Sequence, residues 1–290
     1  MTTVSALLVG PFEAYGFMRT ALVAVLALAL ANGPSGVLLL MRRMSLVGDV
    51  FSHAVMPGAA LGFVIAGYSA LALSAGGMLT GIAVAAFSEV TGRNRLIRDD
   101  VALAAFYLLS LAIGVLLVSG QGSSADLMHV LFGTVLAVDI PTLVLISLLA
   151  TISILVLAAL YRPLALESFD PEFLQAVGGG ARVYRMIFLA IIVLDLVAGF
   201  QAFGTLLAVG PMLLPAAAAR HWARRVGPSM TLAVVLGIVA GYLGLLMSFF
   251  ASLPSGPAIV LAAGALYLVS ALAARYRSRG HPEAGVIRRS

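Results

Sequence analysis

Asp49 and His53 stand four residues apart in the stretch M-S-L-V-G-D-V-F-S-H-A-V-M-P-G, which runs from Met44 to Gly58. On a helix, positions i and i+4 share a face. A carboxylate oxygen and an imidazole nitrogen so placed are donors that a divalent cation accepts. Pro57 follows His53 by four residues and has no N–H to return to the His53 carbonyl. The helix is weakened there and a backbone oxygen is released, which is tolerated at membrane depth only inside protein or along a cavity. The pair has a plainer use as well: Asp49 can pair with Arg42 or Arg43, and His53 can sit at a helix interface. Residue physics alone leaves both uses open.

Other ionisable residues are fewer and more isolated. Asp195 lies deep in the apolar run Met186–Ala219. A charge at the bilayer centre costs about 2.5–3.5 kcal/mol on insertion scales, so Asp195 is expected to face the bundle interior, either on a wet path or in a hydrogen bond to Gln201 or nearby backbone. Asp126 and His129, at i and i+3, could receive a cation from outside or simply belong to a solvated loop. His221 sits among arginines and reads as surface; His281 lies in the tail. The loop E-S-F-D-P-E-F-L-Q-A-V-G-G-G is different. Asp170 can cap a helix whose first residue is Pro171, and Gly178 can stop it. The expected product is a short helix over Pro171–Val177 carrying Glu172, with Phe173, Leu174 and Val177 on an apolar side outside the membrane. Such a helix suits docking of a partner, or packing under its own bundle. There is no H-E-x-x-H, no G-x-S-x-G and no cysteine nucleophile.

The elements that position these residues follow from composition. The chain has 290 residues, 62% hydrophobic and 10% charged, where a soluble domain is about a quarter charged. Its apolar runs are too long for barrel strands. This predicts an all-α integral membrane protein. Cysteine is absent, and all 17 basic residues are arginine. A P-loop needs a lysine for the β/γ-phosphates, so any ATP hydrolysis must come from another chain. The net charge of +5 does not point to nucleic acid, because the arginines fall in short clusters between apolar runs, as in cytoplasmic loops. The first eleven residues carry no basic segment of a signal peptide and are expected to remain.

Charge clusters divide the chain. Thr20–Met41 is one span. Ala54–Ser88 is uncharged and predicts two passes, turning near Gly67 or Gly76. Val101–Ser119 and Ile140–Tyr161 flank a polar outer segment, Gly120–Asp139. Met186–Ala219 must go out and back through short or broken helices. Val226–Ala274 turns at Leu253–Pro257. With every arginine cluster inside, about nine spans result, or eight if the first segments merge. The expected organisation is one polytopic membrane domain over residues 1–275, including an inside loop at 162–185, and a flexible basic tail at 276–290.

Several segments line up with a known family. Arg42-Arg43-Met44-Ser45-Leu46-Val47-Gly48-Asp49, followed by Ser52-His53-Ala54-Val55 and Pro57-Gly58, closely resembles the R-R-M-S-L-x-G-D-x-x-S-H-A-V-x-P-G signature of the zinc/manganese ABC transporter permeases. His129–Gly133 is similar to their H-x-L-F-G segment. Tyr161-Arg162-Pro163 with Ser168–Phe173 resembles their Y-R-P…S-F-D-P-E-F loop. Leu214–Arg220 and Leu253–Pro257 resemble their I-P-A-A-x-A-R run and L-P-S-G-P turn. The matches run in order from about Arg42 to Pro257. One departure is Val209-Gly210-Pro211-Met212, a Gly-Pro where the family pattern is aliphatic, which leaves the course of that helix open.

The resemblance implies a cobalamin-importer-like fold in the bacterial plasma membrane. It also implies a homodimer embedded in lipid, an ATP-binding ABC subunit beneath it and an extracytoplasmic metal-binding protein above. No cofactor would be tightly bound. The cargo would be a divalent metal passing Asp49 and His53, with zinc favoured and manganese or iron next. Asp195, Asp126 and His129 are secondary pathway candidates. Asp170, Pro171, Glu172, Phe173, Leu174 and Gly178 would form the ATPase-coupling segment. The alternative from another class is an ion-coupled secondary transporter using Asp49 or Asp195 as proton carrier.

Overall fold

The computed structural model of the protein describes residues 3–67, 69–91, 108–110, 112–117, 135–176, 180–204 and 207–279. Among these residues every regular element is helical. In chain order they are α1 (Thr3–Ala14), α2 (Gly16–Met41), α3 (Ser45–Ala66), α4 (Ala70–Thr91), α5 (Ile140–Ala159), α6 (Tyr161–Phe169), α7 (Pro171–Ala176), α8 (Ala181–Phe203), α9 (Gly210–Arg220), α10 (Val226–Ala251) and α11 (Ser255–Arg279). Residues 108–110 and 112–117 are also helical. Among the described residues seven helices are long and apolar enough to cross a bilayer: α2, α3, α4, α5, α8, α10 and α11. The expected Val101–Ser119 span falls largely outside the described residues, as do Asp126, His129 and Gly178.

α2 and α8 form the interior. Met18, Ala21, Leu28, Val37, Leu38 and Leu39 of α2 are buried, and α8 buries residues almost continuously from Phe188 to Phe203. α2 packs on α5, α9 and α10; α8 packs on α3, α4 and α5. α4, α5 and α11 keep most of their surface outward. A helix apolar all round reads as one buried on several sides, and α8 fits that description.

α3 and α4 form a hairpin with a glycine seam. A Cβ on Gly58 would overlap the Gly76 carbonyl, and one on Gly62 would overlap the Ala72 carbonyl. Small residues here let two backbones touch. Gly67, at φ 62°, makes the turn between the two helices. Gln201 of α8 then ties α4 in place, donating to Ala70 O at 3.1 Å and to Ser74 Oγ at 2.7 Å.

The out-and-back run is resolved asymmetrically. α8 is a full span ending at Gly204, which adopts φ 78°. The return, α9, is only 11 residues long. Gly210-Pro211 sits at its start, where a proline loses nothing because its missing N–H would have had no helical acceptor. The departure from the family pattern is thus a helix start. α11 continues to Arg279, so the helix extends into the stretch expected as tail.

Candidate metal pathway and its cytoplasmic link

α2 ends in a tight turn built by its own backbone. Met44 N bonds to Leu39 O and Arg43 N to Leu40 O, both at 3.1 Å. This is the Schellman arrangement, with Arg43 in the left-handed position at φ 56° where glycine is usual. The turn launches α3 at Ser45. Asp49 and His53 therefore lie in the first turns of that span, near the end that the arginine clusters place inside.

The two residues share a face of α3 and interact electrostatically. Their surroundings differ: His53 is buried at 3% exposure, whereas Asp49 is exposed. Pro57 lies inside α3, which continues through it to Ala66. Among the described residues, no group of three or more His, Cys, Asp or Glu side chains converges in a single chain.

Of the two arginines that could pair with Asp49, Arg42 does not. Arg42 turns instead to α6 and α8. Its NH1 meets Glu167 Oε2 at 2.6 Å, a charge contact between side chains each 5% exposed. Its Nε donates to Ser168 Oγ at 2.9 Å and its NH2 to Leu164 O at 3.2 Å. The guanidinium lies 3.7 Å from the centroid of the Phe188 ring, a cation–π contact. Arg185 Nε reaches the other oxygen of Glu167 at 3.4 Å. Burial lowers the Arg42 guanidinium to about 10, with Glu167 opposing the drop and Arg185 adding to it. It remains charged at neutral pH. Removing one partner from a buried pair of this kind costs about 3–5 kcal/mol, because the other charge is left uncompensated. Sequence reading missed Glu167 altogether.

Asp195 lies on a different side of α8 from the α3–α4 hairpin. Val193 and Val197 face Gly81 and Gly77 of α4, while the Asp195 carboxyl lies beside the hydroxyls of Ser153 on α5 and Ser35 on α2. These two hydroxyls are the polar groups that face the carboxyl from the neighbouring helices. Gln201, a candidate partner from sequence, bonds to α4 instead. The structure does not bring Asp195 together with Asp49 and His53.

The inside loop folds into two short helices, α6 and α7. Asp170 caps α7, its Oδ1 accepting from Phe173 N at 2.9 Å. Phe173 is 53% exposed, whereas Leu174 is buried. The apolar side expected to be presented outward is therefore split: Leu174 packs inward and Phe173 points away, with Phe169 exposed beside the cap.

The chain is a multi-span helical membrane protein with a carboxylate–imidazole pair on one span and a capped helix in its inside loop. Residues 14–274 match the ABC 3 transport family, and the chain belongs to it. It is 32% identical over 258 residues to a manganese import system permease protein, ScaB, of Streptococcus parasanguinis, covering 89% of this chain and 91% of that one. It is 29% identical to a chelated iron transport system membrane protein, YfeD, of Yersinia pestis, over 93% and 89% of the two chains. Among solved structures it resembles PsaBC from Streptococcus pneumoniae in complex with Fab, with a TM-score of 0.84, 29% identity and coverage of 92% and 95%. The protein is the permease subunit of an ABC metal importer, a multi-span protein of the bacterial plasma membrane. Membership of this family decides against the ion-coupled secondary transporter.

Proposed function

We propose that this permease imports manganese, and that Asp49 and His53 are the donors the ion meets in the membrane. The carrying observation is their placement on one face of α3, one exposed and one buried, in the first turns of a span. Carboxylate and imidazole donors suit Mn²⁺, and no thiolate is available to favour a softer ion. The manganese permeases among the relatives support this cargo over the zinc expected first, a choice the sequence motifs themselves do not make.

The exposed Asp49 supports a homodimer. Two copies meeting along this face would supply two oxygens and two nitrogens, where one chain supplies one pair. A small ligand set without cysteine suits a path that must release its ion. The other partners are a separate ABC ATPase, docking on α7 through exposed Phe173 with Phe169 at the adjoining end of α6, and an extracytoplasmic metal-binding protein. No tightly bound cofactor is needed.

The test is Mn²⁺ uptake by a strain lacking its own permease, with membrane abundance of the protein measured alongside. His53→Ala should abolish uptake at normal abundance. Phe173→Asp should abolish co-purification of the ATPase while leaving the bundle folded. Normal Mn²⁺ uptake by His53→Ala would remove the pathway assignment; an ATPase still bound to Phe173→Asp would remove the docking one.

A further inference from the structure

Arg42 and Glu167 occupy the only point where two functional arms of this chain meet through buried charges among the described residues. One arm is the turn between α2 and α3. Arg42 is the C-cap of α2, Arg43 holds the left-handed turn, and α3 begins at Ser45, four residues before Asp49. The other arm is α6, joined to α7 through Asp170 alone. The Arg42 side chain leaves the first arm and is gripped by the second, through Leu164 O, Glu167 and Ser168 Oγ of α6. Phe188 of α8 forms the floor beneath it.

The geometry is that of a link and not of a surface ion pair. Surface pairs are screened and change partners at little cost. Here both side chains are 5% exposed; the guanidinium donates through Nε and NH2 to one short helix, and its NH1 stands in charge contact with Glu167 of the same helix. Ser168 Oγ also bonds Leu164 O at 2.6 Å, so the acceptors on α6 are fixed with respect to one another. A displacement of α6 must therefore carry Arg42, or break several charged contacts together. Glu167 and Phe173 are six positions apart, and Arg42 and Asp49 are seven positions apart.

We infer that Arg42 and Glu167 are positioning residues that transmit movement of the α7 docking helix to the Asp49–His53 face of α3. This rests on the docking and pathway roles proposed above. Neither residue touches the transported ion. Their task is to make α6 and the α2–α3 turn move as one body when the ATPase moves α7. Arg185 holds Glu167 from α8, a helix outside the two arms, so it tunes the carboxylate without being the bond between them.

The test uses the permease with its ATPase subunit in proteoliposomes supplied with the metal-binding protein loaded with Mn²⁺. Uptake and ATP hydrolysis are measured in the same vesicles. Glu167→Gln keeps the shape of the side chain and removes its charge. Its expected effect is a fall of about tenfold in Mn²⁺ taken up per ATP hydrolysed, with hydrolysis retained and the ATPase still bound. Ser168→Ala, which removes one hydrogen bond and no charge, should lower the ratio in the same direction by a smaller factor. Arg185→Gln should leave it near the wild-type value. An unchanged ratio in Glu167→Gln, or uptake and hydrolysis falling in parallel in both Glu167→Gln and Ser168→Ala, would overturn the inference: the pair would then serve stability alone. If Glu167→Gln does not assemble, the ratio in Ser168→Ala decides by the same criterion. Wild-type vesicles that hydrolyse no ATP in response to loaded binding protein would instead refute the function proposed above.

Discussion

Gly58→Ala is the most informative single-methyl change in this protein. Gly58 lies on α3, five residues beyond His53, where α3 and α4 touch backbone to backbone. A Cβ there would come within 2.6 Å of the Gly76 carbonyl carbon and closer still to its oxygen, where ordinary contact begins near 3.4 Å. The obstacle is backbone, so no rotamer change can relieve it. The helices must part by more than about 0.8 Å to restore ordinary van der Waals separation, since the oxygen lies closer than the carbon. Overpacking of this kind costs about 1–3 kcal/mol. That corresponds to a fall of roughly 2–12 °C in the melting temperature of the detergent-purified protein.

The effect on transport should exceed the effect on stability. Donor distances at a metal site tolerate only about 0.2 Å, and α3 carries both Asp49 and His53. A shift several times larger should depress Mn²⁺ uptake at temperatures where the protein remains folded. The control is Gly264→Ala on α11, where a Cβ meets nothing within 4 Å; there the better helix propensity should stabilise by up to about 1 kcal/mol. Melting by fluorescence-detected size exclusion and uptake of radioactive manganese are sufficient readouts. If Gly58→Ala melts with the wild type and transports at its rate, the close approach of α3 and α4 does not set the position of the site.

Two further changes probe the ends of helices. Ser252 closes α10 in the left-handed region at φ 53°, with Leu253 N reaching back to Ser248 O at 3.2 Å; Ser252→Gly should relieve about 1 kcal/mol and raise the melting temperature, and a lower melting temperature would contradict it. Asp170→Ala removes the 2.9 Å cap of α7, worth about 1 kcal/mol; hydrogen exchange over residues 171–176 should accelerate, Asp170→Asn should largely restore protection, and equal exchange in all three proteins would refute the cap.

Much of the fold is legible in the sequence because arginine marks where spans end. Ile140–Tyr161 was expected and α5 covers Ile140–Ala159; Pro171–Val177 was expected and α7 covers Pro171–Ala176. Errors arise where a charge is absorbed into a helix. Arg19 lies inside α2, which starts at Gly16, and Arg182 and Arg185 lie inside α8, which starts at Ala181. Long basic side chains can reach the interface from within a helix, so the charge bounds the membrane without bounding the helix. Asp195 and Gln201 fail as partners for a geometric reason: they are six residues apart, and positions i and i+6 of a helix point to different sides. The Arg42–Glu167 pair is harder still. Its members are separated by 125 positions, and each has nearer residues of opposite charge in the sequence.

The distribution of charge then assigns tasks to the groups that composition only counts. A buried charge in a membrane protein needs a partner or a use. Arg42 and Glu167 neutralise one another and fasten two elements. Asp195 is enclosed between α2, α5 and α8 with hydroxyls beside it, away from the α3 face. Asp49 differs from these in standing exposed on the side of α3 that also carries buried His53. Lipid is a costly neighbour for a carboxylate at that position, whereas water or a second copy of the chain is not. The same exposure that makes Asp49 unsuited to a lipid face is what a shared, water-accessible pathway between two subunits requires. The Arg42 contact joins the cytoplasmic end of that face to α6, the helix that leads into α7.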